Sequence, residues 1–206
     1  MNEQAPYQAQ ETNTTLPKPP RTSIKKHLHS FWEIIEFAVI ALLIVIPIRM
    51  FIAQPFVVSG TSMVPTFASG DYLIIDQISY RFEEPARGDV VVFKYPKDTK
   101  KYFIKRIIGL PGETVEINGS AVKIYNDAHP NGFILDEPYI ANQSANFSKT
   151  VVSDDSYFVM GDNRPASSDS RFWGLVPKKL VVGRAFVQLL PFDHLETFPG
   201  EHTFAK

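Results

Sequence analysis

A mainly β fold behind a single apolar helix is what this 206-residue sequence predicts, and three observations carry the prediction. Short strand-like segments recur from residue 56 onward, turn formers bound each of them, and one uninterrupted apolar run, Phe37 to Ile48, stands near the start of the chain. With 44% hydrophobic and 21% charged residues the chain can fill the core of one medium domain with a small insertion. That composition excludes disorder throughout.

Residues 1–30, rich in Gln, Asn, Thr and Pro, show neither a helical nor an alternating apolar period and read as a flexible tail. Residues 31–53 follow as the helix. If Ile34 to Ala53 is helical it reaches about 30 Å, the hydrocarbon thickness of a bilayer, with Glu36 and Arg49 near its ends and Trp32 at an interface. A buried core helix or the centre of a cleaved signal are the competing readings. Arg49 to Pro55 offers no convincing small-x-small cleavage pattern, which favours an uncleaved transmembrane anchor. Lys18, Arg21, Lys25 and Lys26 precede the segment, whereas the next basic residue after Arg49 is Arg81. This asymmetry places the N-terminus in the cytoplasm and residues 54–195 outside, as an extracytoplasmic β domain anchored to the cell membrane.

Within that domain the strand-like segments are Tyr72–Ile78, Asp89–Tyr95, Tyr102–Ile108, Thr114–Ile117, Ala121–Tyr125, Ser156–Met160 and Val181–Leu190. Asn118-Gly119 signals a hairpin, and Pro111-Gly112 suits the central positions of a type II turn. Between Tyr125 and Ser153 the pattern weakens, so that residues from about 112 to 155 read as a loop-rich insertion. Residues 196–206 read as a C-terminal tail.

A formal net charge of −1 supplies no field for a phosphate backbone, and no local basic patch compensates, so nucleic acid is not an expected partner. The absence of cysteine excludes disulfides and thiolate metal sites. The five histidines, at 27, 29, 129, 194 and 202, flank no candidate nucleophile, which argues against a histidine-based triad. No zinc-protease helix motif or phosphate-binding glycine loop is present, and no metal or cofactor is called for.

Two constellations remain. In Ser59-Gly60-Thr61-Ser62-Met63-Val64-Pro65-Thr66, after a strand-like Pro55–Val58 segment, Gly permits an unusual backbone and Pro fixes the turn, so Ser62 can be held at a rigid edge. A serine in such a turn is also an ordinary structural feature. In Tyr102-Phe103-Ile104-Lys105-Arg106-Ile107-Ile108-Gly109, alternation sets Phe103, Lys105 and Ile107 on one face and Ile104, Arg106 and Ile108 on the other, so one cation faces a buried side. Either the lysine snorkels from an edge strand, or burial lowers its pKa until the neutral amine can take a serine proton.

Ser62–Thr66 and Lys105-Arg106-Ile107-Ile108-Gly109-Leu110-Pro111-Gly112-Glu113 resemble the two catalytic boxes of type I signal peptidases, with Gly70-Asp71 between them. Residues 161–174, from Gly161-Asp162-Asn163-Arg164 to Phe172-Trp173-Gly174, resemble that family's final box. The resemblance covers residues 31 to about 191. It implies a serine endopeptidase that removes signal peptides from exported preproteins through an acyl-enzyme, with Ser62 as nucleophile, Lys105 as general base and no cofactor. It further implies that Ser167 orients the lysine, that Asp169 and Arg171 form a bracing ion pair, and that the Ser62 N–H serves the oxyanion. Val58, Met63, Phe67, Phe103 and Ile104 are the implied walls of the substrate pocket, though a plain core role competes. Gly60 stands where some members carry an oxyanion serine, as in the single-anchor enzymes of Gram-positive bacteria. The partners implied are signal peptides, membrane lipid and the export translocon. The eleven residues from Phe51 to Ser62 reach at most about 36–40 Å, which keeps the serine close to the bilayer. A self-cleaving repressor-type protein and a tethered peptide-binding domain without catalysis are the rival readings.

Overall fold

The protein was analysed as a computed structural model that describes residues 24–47, 53–191, 195–202 and 204. Residues 1–23 of the expected tail at 1–30 and residues 48–52 of the expected anchor lie outside the described residues, while residues 24–30, expected as tail, are helical. Helix α1 spans Ile24–Pro47. Between residues 31 and 46 it has no buried side chain, with Phe37 74% and Leu43 69% exposed. Among the described residues no helix is long and apolar enough to cross a membrane.

The rest is mainly β, as the strand rhythm predicts. The strands are β1 (Ala53–Val57), β2 (Tyr72–Asp76), β3 (Val90–Tyr95), β4 (Asp98–Gly109), β5 (Thr114–Gly119), β6 (Ala121–Asn126), β7 (His129–Ile134), β8 (Asn146–Val151), β9 (Ser156–Met160), β10 (Val176–Pro177), β11 (Val181–Leu190) and β12 (Glu196–Thr197), with a one-turn helix α2 (Ser170–Trp173) after β9. One sheet runs β1-β2-β11-β3-β4-β9-β10, with β12 paired to β11; the other runs β7-β6-β5-β8.

Local chemistry accounts for the joints. Glu113 N–H donates to Leu110 O across Pro111-Gly112, and Gly112 takes φ +79, which is the expected type II turn. The β5–β6 hairpin pairs Asn118 with Ala121, so its two loop residues are Gly119 and Ser120, one step beyond the Asn-Gly pair that signalled it. The span read as a loop-rich insertion contains, besides the expected β5 and β6, two further strands, β7 and β8, whose polar alternation lacks the apolar signal used to find the others. They build the second sheet around β5 and β6, and its core of Val115, Ile117, Val122, Ile124 and Val152 is continuous with Ile108, Phe158 and Met160 of the first sheet. Residues 196–202 and 204 also pack: β12 adds to β11, and Phe204 rests on that same core.

Candidate active site

Ser62 stands in the turn after β1. Val58 N–H donates to Asp71 O at 2.9 Å, Gly60 takes φ +99, and Phe67 N–H closes back onto Met63 O at 2.9 Å. Met63 and Phe67 are fully buried with Leu73 and Ile75 beneath the turn. They anchor the Ser62 turn in the core and are not among the residues lining the cleft. Val58, Phe103 and Ile104 do line a cleft of about 640 Å³ that also contains Ser62 and Lys105. One wall is the Phe56–Ser62 segment and the other is Lys101–Lys105, with Leu73 and Val92 also lining the cleft.

Lys105 sits on β4 opposite Val91 of β3, one residue before Arg106 pairs with Met160 of β9. β9 begins to pair only at Arg106, so Lys105 has a strand on one side, yet it is only 4% exposed, which does not fit a lysine snorkelling into solvent. Its Nζ donates to Ser62 Oγ at 2.7 Å and to its neighbour Ile104 O at 2.8 Å. Burial pushes the ammonium down to about 8 from 10.5, against the opposing fields of the Asp169 and Asp162 carboxylates. Neither carboxylate bonds the amine, because each is already engaged by an arginine.

The segment after β9 clamps this pair. Asn163 N–H donates to Ser62 O at 3.0 Å, and its side-chain amide donates to Thr61 O at 3.0 Å. A Cβ at Gly161 would lie 2.3 Å from Ser167 Oγ and 2.4 Å from Ser62 O, so only glycine lets the segment approach the serine turn this closely. Ser167 Oγ is buried and takes no hydrogen-bond partner. The orienting bond from Ser167 to Lys105 implied by the resemblance is thus not formed here, and Ile104 O holds the amine instead. Asp169 and Arg171 form the expected two-armed pair at 2.7 Å, while Asp169 also accepts from Gly161 N–H at 3.1 Å.

Sequence reasoning missed a second buried ion pair. Arg106, the other cation of the β4 alternation, is fully buried too, bonded to Asp162 at 2.9 and 2.6 Å. Alternation alone implied one buried cation, but β4 is covered on both faces. Among the described side chains, His129 contacts Asn126 and Phe133, and His202 contacts Asp136, Tyr139 and Phe204.

The family model for signal peptidase, peptidase S26, matches residues 31–190. The chain belongs to that signal peptidase family. Probable signal peptidase I-2 of Synechocystis is 42% identical over 170 residues, covering 79% of this chain and 75% of the relative. Signal peptidase I of Leptolyngbya laminosa is 38% identical over 193 residues, 89% of this chain and 92% of the relative. Signal peptidase I T of Bacillus subtilis is 32% identical over 198 residues, with coverages of 90% and 97%. With these relatives the chain is a type I signal peptidase, a serine peptidase. The reading as a tethered domain without catalysis is set aside.

Proposed function

We propose that this signal peptidase is a membrane-bound endopeptidase that removes signal peptides from exported preproteins, using Ser62 and Lys105 as a catalytic dyad. The observation that carries the proposal is the 2.7 Å contact between Nζ of the buried Lys105 and Ser62 Oγ. In the neutral form of the amine, Nζ accepts the Ser62 proton as Oγ attacks the scissile carbonyl carbon. The resulting ammonium then protonates the departing amine, leaving an ester on Ser62. Water, deprotonated by the same lysine, cleaves that ester and restores the enzyme. Ser62 N–H, which donates to no acceptor among the described residues, is the donor toward the developing oxyanion.

An extended substrate fits the cleft walls. β1 is the edge of its sheet, and Tyr102–Lys105 pair only with β3, so both walls offer free backbone edges beside Val58, Phe103 and Ile104. A signal peptide's cleavage region, added as a strand, would point alternate small side chains into those apolar surfaces. Residues 31–53 are assigned as the membrane anchor, with the catalytic domain outside the cytoplasm and lipid and translocon as neighbours. The exposed apolar surface of α1 supports this assignment, since water would otherwise face it at substantial cost.

The test is mass spectrometry of a model secretory precursor incubated with detergent-solubilised enzyme, beside Ser62→Ala and Lys105→Ala. Cleavage after a small-x-small sequence by wild type alone is the expected result. Equal cleavage by Lys105→Ala would overturn the dyad. Extraction from membranes by alkaline carbonate would overturn the anchor.

A further inference from the structure

Strand β4 carries two adjacent buried cations, and the reaction uses one. The other, Arg106, is fully buried. Its Nε and Nη2 donate to the two oxygens of Asp162, and its Nη1 donates to Gly88 O at 2.8 Å and Gly200 O at 2.5 Å. Its guanidinium plane lies 3.9 Å from the centre of the Tyr139 ring. Asp162 in turn accepts from Thr66 Oγ1 at 2.5 Å, four residues beyond Ser62, and precedes Asn163, whose N–H holds Ser62 O. Arg106 and Asp162 therefore tie the strand bearing Lys105 to the turn bearing Ser62.

Gly200 comes from the segment that sequence patterning leaves as a tail. The described residues of that segment are fastened at several points. Thr197 and Glu196 pair with Val187 and Gln188, Phe198 N–H donates to Phe186 O at 2.7 Å, and His202 and Phe204 pack on Tyr139. The approach is close at two glycines: a Cβ at position 200 would lie 2.3 Å from Thr66 Cγ2, and one at position 88 would lie 2.2 Å from His202 O.

Resting on the Ser62/Lys105 reading, we propose that residues 196–202, with Phe204, are a positioning strap for the dyad. It acts through Arg106, with Gly200 as its contact residue. The strap takes the second N–H of Nη1 and shields the Arg106–Asp162 pair from water. Without it, water reaches that pair, the attraction between Arg106 and Asp162 weakens, and the spacing between strand and turn is no longer fixed. The charged groups nearest Lys105 are Asp162 and Asp169, each neutralised by its arginine. A looser Arg106 leaves more of the Asp162 field on the lysine, which favours the ammonium. The strap is absent from the cleft walls, so substrate binding should be spared.

The experiment compares full-length enzyme in detergent with a chain lacking residues 198–206 and with Phe204→Ala. A fluorogenic small-x-small peptide gives kcat, KM and the pH profile, and a serine-acylating probe counts competent sites. Ser62→Ala runs in parallel. The proposal expects kcat per competent site to fall about tenfold or more in the shortened chain, with KM within about twofold. It also expects the acid limb of the profile to move up by about half a pH unit, and a synthetic 196–206 peptide to restore part of the rate. Phe204→Ala should shift both quantities in the same direction by less, and it decides the question if the shortened chain does not fold. Unchanged kcat per site and an unchanged acid limb in a folded variant would overturn the strap. Cleavage that survives Ser62→Ala would overturn the dyad reading itself.

Discussion

Replacing Lys105 by methionine should stabilise the protein relative to wild type while abolishing cleavage, and the stability difference should depend on pH in one direction. The lysine is 4% exposed and its ammonium is pushed from 10.5 to about 8, mainly by burial. A displacement of that size corresponds to about 3 kcal/mol of folding free energy. The unfolded chain holds its proton up to about pH 10.5, whereas the folded chain releases it near 8. Between those values the unfolded state binds more protons, so wild-type stability rises with pH; below about 8 the whole penalty is present. Methionine carries no such penalty. The advantage of Lys105→Met over wild type should therefore shrink by about 2 kcal/mol between pH 8 and pH 10. Urea unfolding followed by the fluorescence of Trp173, which packs against Phe93 and Tyr95, measures it. Taking the difference between variant and wild type at each pH cancels methionine's own packing and every other titration. A difference that stays flat across this range would mean an ordinary lysine, and the desolvated-base argument would fail.

The same displacement predicts that kcat/KM rises through a midpoint near pH 8 and falls about tenfold per unit below it, because only the neutral amine accepts a proton; a pH–rate profile checks this. Gly161→Ala would drive a methyl group against Ser167 Oγ and Ser62 O, and should lower kcat by roughly a hundredfold with the fold retained, as measured by steady-state kinetics beside circular dichroism. Asp162→Asn leaves the buried Arg106 charge without its carboxylate; it should cost about 3–5 kcal/mol and lower Tm on the order of 10 °C in a thermal melt.

The chemistry was easier to read from the sequence than its scaffolding. Lys105 drew attention because a cation interrupts an apolar strand, and Ser62 because glycine and proline fix its turn. Both stand where those local signals place them. Val58, Phe103 and Ile104 line the cleft, but Met63 and Phe67 do not, because an apolar residue beside a nucleophile carries no mark of which way it points. Arg106 was harder. Period-two alternation assigns opposite faces to neighbours but does not reveal that β4 is covered on both, and its partner Asp162 lies far along the chain. β7 and β8 escaped notice because edge-like strands with polar outer faces resemble loops in composition. The packing of residues 196–202 and 204 depends on glycine contacts and a single short pairing, neither of which has a periodic signature.

β4 ends at Gly109 directly opposite Phe158 of β9, so the chain leaves the catalytic sheet and returns to it on neighbouring strands. Gly112 N–H bonds Val152 O, and Val152 N–H bonds Glu113 O, which draws the neck of the excursion shut. Residues 114–151 leave and return through that neck. The loop-closure cost of lengthening such an excursion grows only slowly with its length. Length is therefore added most cheaply at the outer β5–β6 and β6–β7 turns, because Glu137, Tyr139 and Ser144 already contact Arg164, Arg106 and Arg171 of the catalytic unit.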